Sequence, residues 1–222
     1  MISIVFVSPP AAGKGTQSQM ISEKYNIPHI STGAILRNEA ELMSEIGIKI
    51  KEEMISGNLI SDSIIIELLN KRLNEKDCEK GYILDGFPRT LNQAKLYDEM
   101  LEKKNKQINY IFYLKIDKET AYKRTIGRLT CSNCQTVYNN MYESTKPKVS
   151  GICDKCDGSL VKRNDDSFET FEKRYQNYLS LTEPLLEYYR RKNNIYEINS
   201  GISKEYTFKQ ITKVIDDGVI ND

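Results

Sequence analysis

The chain has 222 residues, 39% of them hydrophobic and 28% charged, with a formal net charge of +1. That balance suits a soluble globular protein able to bury one sizeable core and carry a small insert. It excludes a general nucleic-acid binder held by phosphate neutralisation, since no basic cluster is present, and the apolar run Ile2 to Val7 is too short for a membrane span and lacks the basic flank of a secretion signal, which points to the cytosol.

In chain order, that apolar run reads as a strand. It breaks into Ser8-Pro9-Pro10-Ala11-Ala12-Gly13-Lys14-Gly15-Thr16-Gln17, a turn that opens a helix. Consecutive backbone N–H groups in such a turn curl around a phosphate chain, the helix N-terminus adds partial positive charge, and the lysine reaches the terminal phosphates. Gly13, Lys14 and Thr16 fit the phosphate-loop pattern, whereas Ser8 stands at its first glycine and Gly15 is inserted before the hydroxyl. An ordinary strand-turn-helix with a surface lysine is the competing reading. Apolar residues at i, i+3, i+4 spacing predict helices over 17–25, 34–42, 45–56, 62–75, 92–104 and 118–129, with Asp62 and Asp117 as N-caps. Strands are predicted at 81–85, 110–115 and 195–199, with a short one at 28–30. The alternation implies an α/β fold with a parallel sheet covered on both faces, binding ligands beyond the carboxyl ends of its strands. The segment 131–166, rich in Asn, Ser, Asp, Lys and Gly, breaks this rhythm and reads as an insert. A long helix over 168–192 then returns to the core, and 205–219 reads as a terminal amphipathic helix.

The second informative stretch is Gly81-Tyr82-Ile83-Leu84-Asp85-Gly86-Phe87-Pro88-Arg89-Thr90. An apolar strand ending in an acid is where phosphate-loop enzymes keep the aspartate that holds magnesium through water, although a strand-end aspartate also serves as a helix cap. Arg89 follows with a planar fork that grips phosphate in two places. Nine of the 32 basic residues are arginine, so the chain prefers lysine where any cation suffices. Arg72, Arg190 and Arg191 read as surface ion pairs. The one histidine, His29, follows Pro28 on the short strand and reads as a packed core residue, not a catalyst. Cys131-x-x-Cys134 and Cys153-x-x-Cys156, separated by 18 residues, match zinc-site spacing, with free thiols or disulfides as the alternative. Four cysteine ligands fill a tetrahedral zinc and leave no open position, which makes such a metal structural, holding together an insert too small for its own core. Cys78 is left as a plain semi-buried thiol.

The pieces Gly13-Lys14-Gly15-Thr16-Gln17, Ser31-Thr32-Gly33, Leu84-Asp85-Gly86-Phe87-Pro88-Arg89-Thr90 with Gln93, Gly127-Arg128, Arg163-x-Asp165-Asp166 and Arg174 together resemble the adenylate kinase family, in its long form with a metal-binding lid. The resemblance covers nearly the whole chain. It implies a P-loop three-layer core with five parallel strands over 1–30, 61–127 and 167–222, a monophosphate-binding arm over 31–60, and a zinc-binding lid over 128–166. By position, Lys14 and the backbone of Ala12, Gly13, Gly15 and Thr16 would cradle the ATP phosphates. Arg124, Arg128, Arg163 and Arg174 would surround the transferred phosphoryl group, with Val137, Tyr138 and Ser203 on the ATP side. Thr32, Arg37, Gly86, Arg89 and Gln93 would hold AMP, Gln93 on the adenine edge and Asn58, Leu59 and Ile60 near the base, while Arg163 and Arg174 would reach both substrates.

Three positions depart from the family pattern: Ser8 and Ala11 where glycine is usual, and Ala34 where aspartate is usual. They touch loop geometry and magnesium affinity, not the reaction type. The implied activity is reversible, magnesium-dependent phosphoryl transfer from ATP to AMP giving two ADP, by a monomer with a structural zinc and no nucleic-acid or membrane partner. Two rivals stand beside it. One is a monophosphate kinase of other base preference, such as a GTP:AMP phosphotransferase. The other is a zinc-ribbon nucleic-acid-binding ATPase, which sits poorly with Asp154, Asp157, Asp165 and Asp166 among the lysines of the insert.

Overall fold

Strand β1 (Ile2–Val7) sends its side chains alternately to two cores, Val5 and Val7 to one and Ile4 and Phe6 to the other. A strand buried on both faces has no polar side to show, which is why β1 is apolar but for Ser3, whose buried hydroxyl donates to Gln107 O. The computed structural model describes residues 1–42, 44–56, 60–162, 166–192 and 195–219. After β1 come α1 (Lys14–Tyr25), β2 (His29–Ser31), α2 (Thr32–Glu41), α3 (Glu45–Ser56), α4 (Asp62–Leu73), β3 (Gly81–Asp85), α5 (Leu91–Glu102), β4 (Tyr110–Lys115) and α6 (Lys118–Ile126). The chain continues through β5 (Arg128–Cys131), β6 (Val137–Asn139), β7 (Leu160–Val161), α7 (Phe168–Asn177), α8 (Pro184–Arg190), β8 (Ile195–Asn199) and α9 (Lys204–Val219).

The main sheet has the order β2-β3-β1-β4-β8, and all its pairings are parallel. On one face Leu69 of α4, Tyr97 of α5 and Leu185 of α8 pack against Val5, Leu84 and Ile111. On the other, Ile21 of α1 and Ile211 and Ile215 of α9 pack against Ile4, Ile83 and Phe112. Each such side chain contributes roughly 1.5–3 kcal/mol of burial, so three layers hold the strand ends rigidly. The expected α/β fold with five parallel strands is present. The insert forms a separate antiparallel sheet, β6-β5-β7, with a small cluster of Cys131, Tyr138 and Cys153.

Several expectations need correcting. The helix predicted over 118–129 ends at Ile126, because Gly127 caps it and the next residues pair in β5, with Leu129 packed on the cysteine cluster. The single helix predicted over 168–192 is α7, a π-helical segment at Tyr178–Thr182, and α8. Pro184 has no N–H to continue the α-helical ladder, and the turn before it widens so that Glu183 N donates to Tyr178 O at 2.8 Å. Asp117 caps α6 as expected, accepting from Thr120 N. Asp62 does not cap α4: it is the first helical residue, and its carboxylate turns instead to Asn92 and Gln93. Cys78 is fully buried, with its thiol pushed up to about 11 by burial and accepting a hydrogen bond from Arg72 Nη1.

Candidate active site

At the carboxyl end of β1 the chain turns through Ala11 at φ 57° and Gly13 at φ 90°, both in the left-handed region. A glycine suits this conformation and an alanine is strained in it by about 1–2 kcal/mol, so the loop carries a cost at Ala11. Gly13 is the N-cap of α1 and offers no side chain to its first N–H groups, which leaves them for an anion to cap. Lys14 Nζ donates to Ser8 Oγ at 2.9 Å, and that hydroxyl donates to Pro9 O at 2.8 Å. Ser8, where the family pattern has glycine, therefore gives the lysine a resting partner.

Asp85 ends β3 beside this loop. A Cβ added at Gly15 would stand 3.6 Å from Asp85 Oδ2, so the missing side chain keeps the carboxylate open toward the loop. The strand register sets Ser31 opposite Asp85 and His29 opposite Ile83. His29 Nε2 consequently lies 3.3 Å from Asp85 Oδ2, and its side chain is 26% exposed, so the histidine is a half-buried partner of the aspartate and not the packed core residue expected. Burial pushes the Asp85 carboxyl up, but the His29 hydrogen bond and the nearby charges of Lys14, His29 and Arg89 outweigh it and hold the group below the ordinary carboxylate range. An ionised carboxylate only accepts, so His29 Nε2 carries the proton of this bond.

The turn after Asp85 brings Gly86, Arg89 and Thr32 together. Gly86, at φ 83°, leaves room for Thr32 Oγ1 and Arg89 Nη2, which a Cβ would meet at 3.0 and 3.2 Å. Thr32 Oγ1 donates to Asp85 O, and Arg89 Nε donates to Gly86 O at 2.8 Å. Arg37 lies over Gly33, where a Cβ would stand 3.3 Å from Nη1. Gln93 is 1% exposed and accepts from Arg89 N through Oε1. Between α2 and α4 a narrow apolar slot is lined by Thr32, Ile35, Leu36, Ile65, Leu68 and Leu69.

Positive charge is crowded here. Loss of hydration lowers the Lys14 ammonium pKa, the Asp85 charge raises it, and the Arg89 and Arg128 charges lower it again, for a net fall. Arg89 is lowered likewise by loss of hydration, against the pull of Asp85 and with the repulsion of Arg174. Lys14 thus feels Asp85, Arg89 and Arg128, and Arg89 feels Asp85 and Arg174. Arg128 forms a two-point ion pair with Asp166, whose side chain is fully buried. Arg124 instead donates to Ser200 O and Gly201 O at 2.9 and 3.2 Å, serving the turn into α9. Ser203 accepts from Tyr206 N at the start of that helix, Ile60 and Ala12 are buried in the two cores, and Val137 is exposed. Tyr138 points its hydroxyl at Asp154 N and Cys153 Sγ, inside the insert. Asn58, Leu59, Arg163 and Asp165 lie outside the described residues. A cavity of about 470 Å³ beside Tyr113, Lys115, Arg190 and Glu197 is lined by none of the residues of this site, and Lys115 and Arg190 both pair with Glu197.

The four cysteines of the insert converge, with all sulfurs within 4.8 Å of one another and the pairs Cys131–Cys156 and Cys134–Cys153 at 3.5 Å. These separations are far beyond a disulfide bond and near the roughly 3.8 Å that four Zn–S bonds of about 2.3 Å impose. Lys155 N donates to Cys153 Sγ, and a Cβ at Gly158 would stand 3.0 Å from Cys131 Sγ, so backbone folds closely around the sulfurs. The donor set suits a closed metal site.

Comparison with known proteins agrees with this geometry. A family model described as adenylate kinase matches residues 6–194. The chain is 44% identical over 215 residues to an adenylate kinase of Archaeoglobus fulgidus, covering 97% of this chain and 98% of that one. It is 40% identical over 214 residues to an adenylate kinase of Thermosipho africanus, covering 96% and 99%. It is also 40% identical over 220 residues to one of Clostridium tetani, covering 99% and 100%. Likeness at this level over nearly the whole length of the chain and of its relatives makes the chain a member of the adenylate kinase family.

Proposed function

We propose that the protein transfers the terminal phosphoryl group of ATP to AMP, reversibly and with magnesium, giving two ADP. The observation that carries this reading is the approach of Lys14 and Arg89 to the Asp85 carboxylate, with Arg128 close to Lys14 and Arg174 close to Arg89. Such an excess of poorly hydrated positive charge is relieved by polyphosphate. Phosphoryl transfer leaves a protein little covalent chemistry, so alignment and charge stabilisation must supply the rate.

The open N–H groups of α1 and Lys14 hold and orient the donor phosphates. Arg89 and Arg37 grip the acceptor phosphate, and the Arg89 fork keeps it in line because its Nε is anchored on Gly86 O. Arg124, Arg128, Arg163 and Arg174 complete the ring, which for Arg124 means leaving the Ser200 and Gly201 carbonyls and for Arg128 the Asp166 carboxylate. Asp85 would hold magnesium through water, and the ion when bound neutralises charge between the phosphates. The open face that Gly15 leaves beside the carboxylate fits this role.

Residues 31–60 act as the monophosphate arm and 128–166 as a lid, both closing over the substrates to exclude water, which would otherwise accept the phosphoryl group. Cys131, Cys134, Cys153 and Cys156 would hold zinc, which would cross-link the strands of the lid. No helix among the described residues is long and apolar enough to cross a membrane. The test is a coupled assay crossing several nucleoside triphosphates with AMP, CMP, UMP and GMP. ATP with AMP should give the highest rate, and absence of ADP formation from that pair overturns the reading.

A further inference from the structure

Beside the turn that carries Arg89, one side chain is held with both ends of its amide accounted for. Gln93 Nε2 donates to Asp62 Oδ1 at 2.8 Å, and Gln93 Oε1 accepts from Arg89 N at 2.7 Å. Asp62 is itself steadied by Asn92 Nδ2, which donates to Oδ2 at 2.6 Å. A carboxylate can only accept and a backbone N–H can only donate, so the chemistry of the partners dictates which end of the amide is nitrogen. Reversal would set the amide oxygen against the carboxylate and the NH₂ group against an N–H. With Gln93 only 1% exposed, water does not relieve either mismatch.

An amide has two N–H donors and two oxygen lone pairs. Asp62 and Arg89 take one of each, leaving one donor and one acceptor in fixed order. The Watson–Crick edge of a 6-aminopurine offers an acceptor at N1 and a donor at its amino group. A 6-oxopurine offers the opposite, a donor at N1 and an acceptor at O6. An amide free to turn over would serve both; a fixed one serves one.

We propose that Asp62 is a specificity-determining residue, holding the Gln93 amide in the sense that reads a 6-aminopurine monophosphate and rejects a 6-oxopurine one. This rests on the reading above that Gln93 meets the acceptor base. Asp62 itself touches no substrate and acts by positioning. The approach of Gln93 to Arg89 N also ties base reading to the turn that presents the phosphate-binding guanidinium.

The experiment compares AMP with inosine monophosphate, which carries the 6-oxo edge without a 2-amino group, as acceptors for the wild type, Asp62→Asn, Asp62→Ala and Gln93→Leu. The readouts are kcat/KM for each acceptor and thermal unfolding. In Asp62→Asn the ratio of AMP to inosine monophosphate should fall roughly tenfold or more, the scale of one charge-assisted hydrogen bond removed from the lock. Asp62→Ala should move the ratio the same way and replaces Asp62→Asn should that variant fail to fold. A loosened fold lowers both acceptors together, so a uniform loss with unchanged ratio overturns the proposal. If Gln93→Leu abolishes the preference while both Asp62 variants keep it, Gln93 reads the base but Asp62 does not set its sense, and the proposal fails alone. If Gln93→Leu leaves AMP use and the ratio unchanged, Gln93 does not meet the base, and the underlying assignment falls with it.

Discussion

Replacing His29 separates positioning from packing at the Asp85 carboxylate. The two side chains meet through Nε2 and Oδ2 at 3.3 Å, with 26% and 18% of each exposed. A hydrogen bond to a charged group contributes about 1.5–3 kcal/mol, and this one is long and partly hydrated, so about 1 kcal/mol is the reasonable figure. That corresponds to roughly fivefold in an equilibrium constant. Glutamine places an amide nitrogen where Nε2 stands, whereas asparagine is one carbon shorter and falls short of Asp85. His29→Asn should therefore raise the magnesium concentration for half-maximal rate roughly fivefold, with His29→Gln within about twofold of wild type. The assay is a magnesium titration of ADP formation at saturating ATP and AMP, with thermal unfolding run alongside. Equal shifts in the two variants, or none in either, would refute the idea that the Nε2 bond orients Asp85.

Arg89→Lys keeps the charge but loses the Nε anchor on Gly86 O and the phosphate fork, and turnover should fall on the order of 10²–10⁴ fold; near-normal kinetics would remove Arg89 from the site. Protein purified without chelator should carry about one zinc per chain, and Cys153→Ala should lower the unfolding midpoint more than it changes kcat; metal analysis without zinc would contradict this. Ala11→Gly relieves a left-handed alanine at φ 57° but adds unfolded-state freedom. Calorimetry should show stability unchanged or raised by less than about 1 kcal/mol, and a clear loss would mean the Ala11 methyl packs. Asp85→Asn should raise the magnesium requirement sharply and lose part of that penalty in an Ala34→Asp background; strictly additive titrations would exclude position 34 from metal binding.

The residues alone determine the parts whose physics is local. Short runs apolar on both alternating faces and rich in β-branched and aromatic residues read as doubly buried strands, and β1, β3 and β4 emerge at the boundaries their hydrophobicity predicts. The cysteine spacing likewise anticipates the cluster, because two cysteines three residues apart on a tight turn can face one ion. The phosphate loop and the Asp85 turn are legible because each needs particular residue types in an unbroken stretch. What only the tertiary structure decides is who meets whom between distant segments. His29 becomes the partner of Asp85 because β2 lies next to β3 in one register. Asp62, a plausible cap by sequence, leaves its own helix for Gln93 because packing of α4 near α5 brings a buried amide within reach. Pro184 turns one expected helix into two, and pairing in β5 cuts another short, since long-range hydrogen bonds and side-chain burial outweigh the weak local preference for helix. Periodicity along a chain reports which face of an element is buried. The partner across that face is set by the packing of the whole sheet.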